Sequence, residues 1–296
     1  MGVVNATPDS FSDGGDYNSL QARIDRALEV AAQGAHLLDI GGQSAITGVP
    51  EISDAEEIDR VLPVLVGVRS HTDAIISIDT YKPAVAHAVL AAGADIINDI
   101  SGVLDPELAD IVAGHGAGFV VMHTRWKPKT KFDARALYDD VDGGVVGDVM
   151  TFLGARLEML EAAGIGRDQI IIDPGPDFAK TAAQTVDVLR ALPTLAMFGR
   201  PILLALSRKD FIGVITNRPP RERLSGTLAA IGATTVLAPS SILRVHDVVE
   251  VREFLAVLDV LQSRAEIDTE AQLSDTLRWQ SRVAAPITDA NPGFQV

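Results

Sequence analysis

The chain has no cysteine among its 296 residues, which excludes disulfides, thiolate nucleophiles and cysteine metal sites together. Aromatic residues make up only 5% of it. No stretch approaches the roughly 18 consecutive apolar residues of a membrane-spanning helix, so no membrane partner is expected. Basic residues are scarce: 25 Lys and Arg face 40 Asp and Glu, a net charge of −15. That balance argues against a nucleic-acid partner, and an anionic small substrate would need local cations to override the background. The opening Met1-Gly2-Val3-Val4-Asn5 lacks the basic region and long apolar stretch of a secretory signal. Together with the missing cysteines, this gives the expectation of a cytoplasmic protein. No G-x-G-x-x-G turn follows the first apolar run, leaving a dinucleotide fold unsupported. With 47% hydrophobic and 22% charged residues, the composition is nevertheless that of a globular chain rather than a disordered one.

What is present is a repeated beat: a short apolar run, a polar or glycine-rich turn, then an amphipathic stretch. The runs cover residues 2–4, 36–40, 74–78, 94–97, 118–121, 169–172, 201–205 and 240–243. They are rich in Val, Ile and Leu without polar alternation, the signature of parallel strands buried on both faces. Between them, Ile24, Leu28 and Ala31 recur at helical spacing before Gly34, and Val85, Ala88 and Val89 do so before Gly93. Glycine just past the last periodic residue is a helix stop. Eight buried strands, seven of them followed by a clear helical stretch, predict a closed α/β (β/α)₈ TIM barrel, with an open doubly wound sheet as the structural rival. The expected organisation is one barrel domain over residues 1–262 and an extension over 263–296. A long loop after strand 5 opens with Lys127-Pro128-Lys129-Thr130-Lys131 and precedes a helical stretch over 149–163. The extension, which carries Trp279, is expected to add a helix around 266–279 and then fray.

Barrel enzymes place their chemistry at the C-terminal ends of the strands. Asn5 follows the first run, and Asp39 lies in the second, just before Gly41-Gly42-Gln43-Ser44. The later runs lead to Asp79-Thr80, Asn98-Asp99, Met122-His123, Asp173-Pro174-Gly175, Ser207-Arg208-Lys209 and Arg244-Val245-His246-Asp247. A barrel would bring all of these to one rim. Asp79, Asn98 and Asp173 match the donors and acceptors of a nitrogen heterocycle. Lys209, Arg244 and His246 form a cationic group for a phosphate or pyrophosphate. Asn5 and Asp39 offer oxygen ligands suited to Mg²⁺, although Asp39 reads equally well as a brace for the glycine turn. Asp99 and Asp247 read as capping groups or as supports behind the residues that touch ligand, and His123 as a packed rim residue, whereas His36, His71, His87 and His115 join no constellation.

The run from Met1 to Gly15, with Leu38-Asp39-Ile40-Gly41-Gly42-Gln43-Ser44, Ser77-Ile78-Asp79-Thr80, Ile97-Asn98-Asp99 and the three later strand ends, resembles the dihydropteroate synthase family of pterin-binding barrels. The likeness extends from residue 1 to about residue 260. It implies a Mg²⁺-dependent transfer that joins p-aminobenzoate to 6-hydroxymethyl-7,8-dihydropterin pyrophosphate, expels pyrophosphate and makes dihydropteroate for folate biosynthesis. Position by position, it implies that Asp79, Asn98, Asp173 and Lys209 hold the pterin, with Asp79, Asp173 and Lys209 catalytic. Asn5 would bind the metal, Arg244 and His246 the pyrophosphate, and Ser207 and Phe178 would border the aminobenzoate. The resemblance also implies a homodimer packed through barrel helices. The apolar stripe Val251, Leu255 and Leu258 reads first as core.

The departures are local. Where the family usually reads Glu-Ser-Thr-Arg-Pro-Gly, this chain reads Gln43-Ser44-Ala45-Ile46-Thr47-Gly48, so the usual Arg is Ile46. Where it reads Gly-Phe-Gly-Lys, this chain has Asp177-Phe178-Ala179-Lys180, and an expected Asn is Thr185. The pterin side is thus kept while the aminobenzoate side is altered, and Arg125, Lys127 or Lys129 is a candidate replacement cation. One alternative is a pterin-binding paralogue whose second-substrate activity is lost or changed. Another is a methyltransferase of the superfamily using a methylated folate, which would not need the cation set.

Overall fold

The structure is a computed structural model that describes residues 1–6, 19–45, 48–130 and 137–278. The motif residues from Thr7 to Gly15, Ile46 and Thr47, Lys131, and the tail from Trp279 onward lie outside the described residues. The strands are β1 (Gly2–Asn5), β2 (Leu37–Gly41), β3 (Ile75–Asp79), β4 (Ile96–Asp99), β5 (Gly118–Met122), β6 (Ile170–Asp173), β7 (Leu203–Leu204) and β8 (Ile242–Leu243). The first six form one parallel sheet in sequence order, and β7 pairs with β8. Parallel bridges Ile172–Ile202 and Gly2–Val245 join the two sheets. The Val3 N–H donates to the Val245 carbonyl at 3.0 Å, so the barrel closes on itself. Each apolar run became a strand, with β7 and β8 reduced to two regular residues apiece.

The helices are α1 (Leu20–Ala32), α2 (Asp54–Arg69), α3 (Pro83–Ala91), α4 (Glu107–His115), α5 (Gly144–Ala162), α6 (Ala182–Arg190), α7 (Leu192–Leu195), α8 (Asp210–Thr216), α9 (Leu224–Leu237) and α10 (Val248–Leu261). Side-chain caps start several of them: Ser19 accepts the Ala22 N–H, and Thr181 with Gln184 forms a capping box on α6. Gly34 and Gly93 follow α1 and α3 with φ of 93° and 99°, as helix stops require. Among the described residues no helix is long and apolar enough to cross a membrane.

Alternation along the strands decides where the site lies. One set of faces, including Leu38, Ile40, Ile76, Ile78, Ile97, Phe119 and Ile172, joins the large apolar core that includes the helices. The opposite set begins with an apolar plug of Ile96, Val120, Ile171, Leu203 and Ala205, packed with Met1, Leu37 and Ile242. Two residues further along the same faces stand Asp39, Ser77, Asn98 and Asp173, all buried, and Asp79 is next on β3. The barrel interior therefore turns from apolar to polar toward the C-terminal strand ends, the mouth at which such barrels do chemistry.

Residues 1–255 form one unit and residues 256–296 a second. Val251 is buried and Leu255 packs on the core, as their core reading predicts. In the second unit the helix expected around 266–279 is not formed over 266–278, where a 3₁₀ turn at Asp275–Leu277 is the regular element. Asp268 Oδ1 accepts the Glu270 N–H at 2.9 Å, a local side-chain bond that competes with helix formation.

Candidate active site at the barrel mouth

Asp39 organises the polar storey. Its Oδ1 accepts from Ser77 Oγ at 2.7 Å, and Asn98 Nδ2 lies 3.3 and 3.2 Å from its two oxygens. Arg244 Nε donates to Asp39 Oδ2 at 2.6 Å, and Arg244 Nη2 reaches Asp79 Oδ2 at 3.1 Å. Both Asp39 oxygens are thus engaged by side chains. The expectation that Asp39 serves Mg²⁺ gives way to a bracing role: it orients Asn98 and holds Arg244 against Asp79. Burial pushes the Asp79 carboxyl up to about 7, against the pull of Arg244 and with help from the Asp39 charge. Asp173 accepts the Gly175 N–H at 2.7 Å. Burial still raises it to about 6, opposed by that bond and by Lys209.

The residues after β7 and β8 form the other wall. Ser207 Oγ accepts the His246 backbone N–H at 3.3 Å and lies 3.0 Å from His246 Nδ1. These two contacts fix the imidazole through its Nδ1 edge. Burial, then Arg244 and Arg208, push the His246 imidazole down to about 4. His246 is therefore neutral at pH 7 and does not bring the positive charge expected of it. Arg208, at φ 60°, pairs with Asp247 at 3.1 and 2.5 Å, so Asp247 braces a cation at the rim. Lys209 Nζ lies 4.2 Å from the centre of the Phe178 ring, a cation–π contact. Burial lowers the Lys209 ammonium, opposed by Asp177 and Asp173.

The loop after β6 carries Phe178 and is held from below by a residue that sequence reasoning missed. Buried Lys180 donates to His123 Nδ1 at 2.8 Å, to the Gly175 carbonyl at 2.9 Å and to the Phe178 carbonyl at 3.1 Å. His123 Nε2 in turn faces Asp148 Oδ2 at 2.8 Å, and Arg125 closes the chain on Asp148 with Nε at 3.0 Å. Burial, then Lys180, lower His123 to about 4, and burial lowers Lys180 to about 7. His123 is thus a fully buried link in a polar chain. Asp148 sits in the second turn of α5 with no motif around it, and only its carboxylate among apolar neighbours could have flagged it.

Asn5 stands at the end of β1 opposite Gly41, and its carboxamide makes no hydrogen bond among the described residues. Beside the polar storey lies a cavity of about 390 Å³ whose lining includes Trp126, Lys127, Lys129, Phe178, Ser207 and Lys209. Asp79, Asn98 and Asp173 do not line it. The mouth thus has two compartments, one rich in groups matching a heterocycle and one aromatic and cationic.

A parallel barrel with polar groups converging inside its C-terminal mouth is the architecture of a (β/α)₈ enzyme. The pterin binding enzyme family matches this chain over residues 1–246. The dihydropteroate synthase of Synechocystis sp. is 42% identical over 263 residues, covering 88% of this chain and 89% of that one. That of Bacillus subtilis is 39% identical over 271 residues, with 90% of each chain covered. The chain belongs to the dihydropteroate synthase family of transferases. Among solved structures, the Yersinia pestis dihydropteroate synthase in a sulfonamide drug complex superposes with a TM-score of 0.81 at 35% identity, over 89% of this chain and 94% of that one. The Xanthomonas albilineans enzyme with 4-aminobenzoic acid gives 0.80 at 40% identity, over 89% and 92%.

Proposed function

We propose that the chain condenses 6-hydroxymethyl-7,8-dihydropterin pyrophosphate with p-aminobenzoate, giving dihydropteroate and pyrophosphate, at the mouth just described. The observation that carries the reading is Arg244, whose guanidinium spans Asp39 and Asp79. It puts a cation for a leaving pyrophosphate directly beside the carboxylates and carboxamide that suit a pterin. In this reading Asp79, Asn98 and Asp173 bind the pterin edge, and Lys209 sits over Phe178 between the two compartments. As the pterin methylene loses pyrophosphate, charge builds on the leaving group, where Arg244 and the His246 ring are fixed in advance. The incoming aniline nitrogen is itself the nucleophile, so no activated side chain is needed. Ser207 orients His246 and, with Phe178, borders the aminobenzoate.

Mg²⁺ belongs to the same proposal. Among the described residues no group of three or more His, Asp or Glu side chains forms a protein cage. A free carboxamide at Asn5 instead suits an ion that keeps its waters and shares substrate phosphates. When bound, the ion would neutralise pyrophosphate charge. We further place the protein in the cytoplasm, as a cysteine-free chain requires no oxidising compartment. We also propose a homodimer, supported by exposed Val214 and Ile215 on α8 and Val236 on α9. Light scattering on the purified protein tests that last point.

The deciding assay is pyrophosphate release from the dihydropterin pyrophosphate, with and without p-aminobenzoate, with Mg²⁺ and after chelation. Release that requires both the amine and the metal supports the synthase. One observation favours a second reading, a pterin-binding paralogue with a lost or changed second substrate: uncharged Ala45 lines the cavity, next to Ile46 where the family carries Arg. Pterin binding by calorimetry without amine-dependent release would select it.

A further inference from the structure

We propose that Lys127, on the loop after β5, is the cation that holds the carboxylate of the second, aromatic substrate, and that Lys129 positions it. The identity of that acid rests on the synthase reading; the charge preference of the cavity does not.

Among the described residues four cations line the cavity: Lys127, Lys129, Arg208 and Lys209. Three are committed. Arg208 is paired with Asp247, and Lys209 lies over the Phe178 ring. Lys129 donates its ammonium to the Ser44 carbonyl, and its own carbonyl accepts the Gly48 N–H at 3.5 Å. That pair of bonds straps the loop after β5 onto the loop after β2. The Lys127 ammonium, by contrast, has no hydrogen-bond or ion-pair partner among the described residues, the Lys127 carbonyl alone being engaged, by Thr130. Arg125, the remaining candidate on the loop, is ruled out by its bonds to Asp148 and to the Leu137 carbonyl.

The rest of the lining sets the ligand's chemistry. Phe178 and Trp126 give the lining aromatic surface, and Ile100, Ala45 and Ala179 add apolar wall. A flat aromatic acid suits such walls, and its carboxylate, partly withdrawn from water, needs an ionic partner. Ala45, from the loop after β2, brings no charge to the lining, and the sequence continues with Ile46 where the family carries Arg. The loop after β5, strapped across by Lys129, brings a free ammonium to the same compartment.

The test compares p-aminobenzoate with its neutral analogue p-aminobenzamide. In the unsubstituted protein the acid should bind more tightly, as read by calorimetry in the presence of pterin and pyrophosphate and by KM where turnover occurs. Lys127→Gln should weaken the acid about ten-fold. The amide, the KM for the pterin pyrophosphate and the melting temperature should not change, since the side chain is exposed. Lys127→Arg should retain the preference, and Lys129→Met should reduce it in part. An unchanged acid-to-amide ratio in Lys127→Gln overturns the inference, as does equal weakening of both ligands or no preference in the unsubstituted protein. Absent pyrophosphate release with the ratio still governed by Lys127 would instead defeat the synthase reading and leave the inference standing.

Discussion

Thr185 Oγ1 lies 3.0 Å from both the backbone nitrogen and Oδ1 of Asp177, taking the N–H and returning its own proton to the carboxylate. The other carboxylate oxygen accepts the Phe211 N–H at 3.2 Å. Asp177 holds φ 63°, a conformation that favours glycine and that Asp tolerates better than most residues. The two departures from the family pattern therefore belong together: the residue replacing glycine is locked by the residue replacing asparagine.

Thr185→Val removes both bonds at nearly constant volume and leaves the Asp177 N–H without its partner. The expected cost is about 1–3 kcal/mol in denaturant unfolding. Phe178, one residue on, should lose its fixed position, raising the KM for the amine more than that for the pterin. Unchanged stability would show that the pair is incidental.

Ala179 is the mirror case, because it holds φ 51° with no side chain able to compensate. Its carbonyl accepts from Tyr138 at 2.9 Å, which fixes the peptide in place. Glycine carries no Cβ penalty there but has more freedom in the unfolded chain. Ala179→Gly should stabilise the protein by about 0.5–1 kcal/mol, read as a shift of the unfolding midpoint at constant slope. Destabilisation would mean that the left-handed turn is not strained.

These positions also show where the sequence was readable. Buried parallel strands announce themselves by apolar runs, and strand ends carry polar residues at known offsets, so the barrel and the positions of Asp79, Asn98, Asp173 and Arg244 were legible. Partnerships across the barrel were not. That Asp39 braces Arg244 from 205 positions away depends on closure, which no local pattern encodes. Lys180, His123 and Asp148 meet only because a loop, a strand end and a helix converge. The charge state of His246 was misread because burial, invisible in sequence, outweighs its nearness to Asp247.

Burial sets two opposed pH dependences in one window. His246 falls from 6.5 to about 4, so between those values the unfolded chain binds a proton that the folded one refuses. Its contribution therefore weakens stability as pH falls from 6.5 toward 4. Asp173 rises from 3.8 to about 6, so the folded state keeps a proton that the unfolded chain has lost. Its contribution weakens stability as pH rises from about 4 to 6. Relative to the unsubstituted protein, His246→Gln should gain stability toward pH 4 and Asp173→Asn should gain toward pH 6. Urea unfolding across that range checks both signs, and parallel curves for all three proteins would refute them.

Arg244 separates stability from chemistry. Its guanidinium is the sole cation hydrogen-bonded to Asp39 among the described residues, and the Asp39 side chain is fully buried. Arg244→Gln leaves that carboxylate buried with Ser77 and Asn98 but no compensating charge. The expected loss is about 2–4 kcal/mol in denaturant unfolding, with amine-dependent pyrophosphate release reduced at least about 100-fold. Adding Asp39→Asn removes the orphaned charge while keeping a partner for Ser77, so the double variant should regain most of the stability. It should not regain the turnover, because the cation facing the leaving group is still missing. If activity returned together with stability, Arg244 would be acting only as a counter-ion to Asp39, and the leaving group would have to be held by Lys209 and His246 alone.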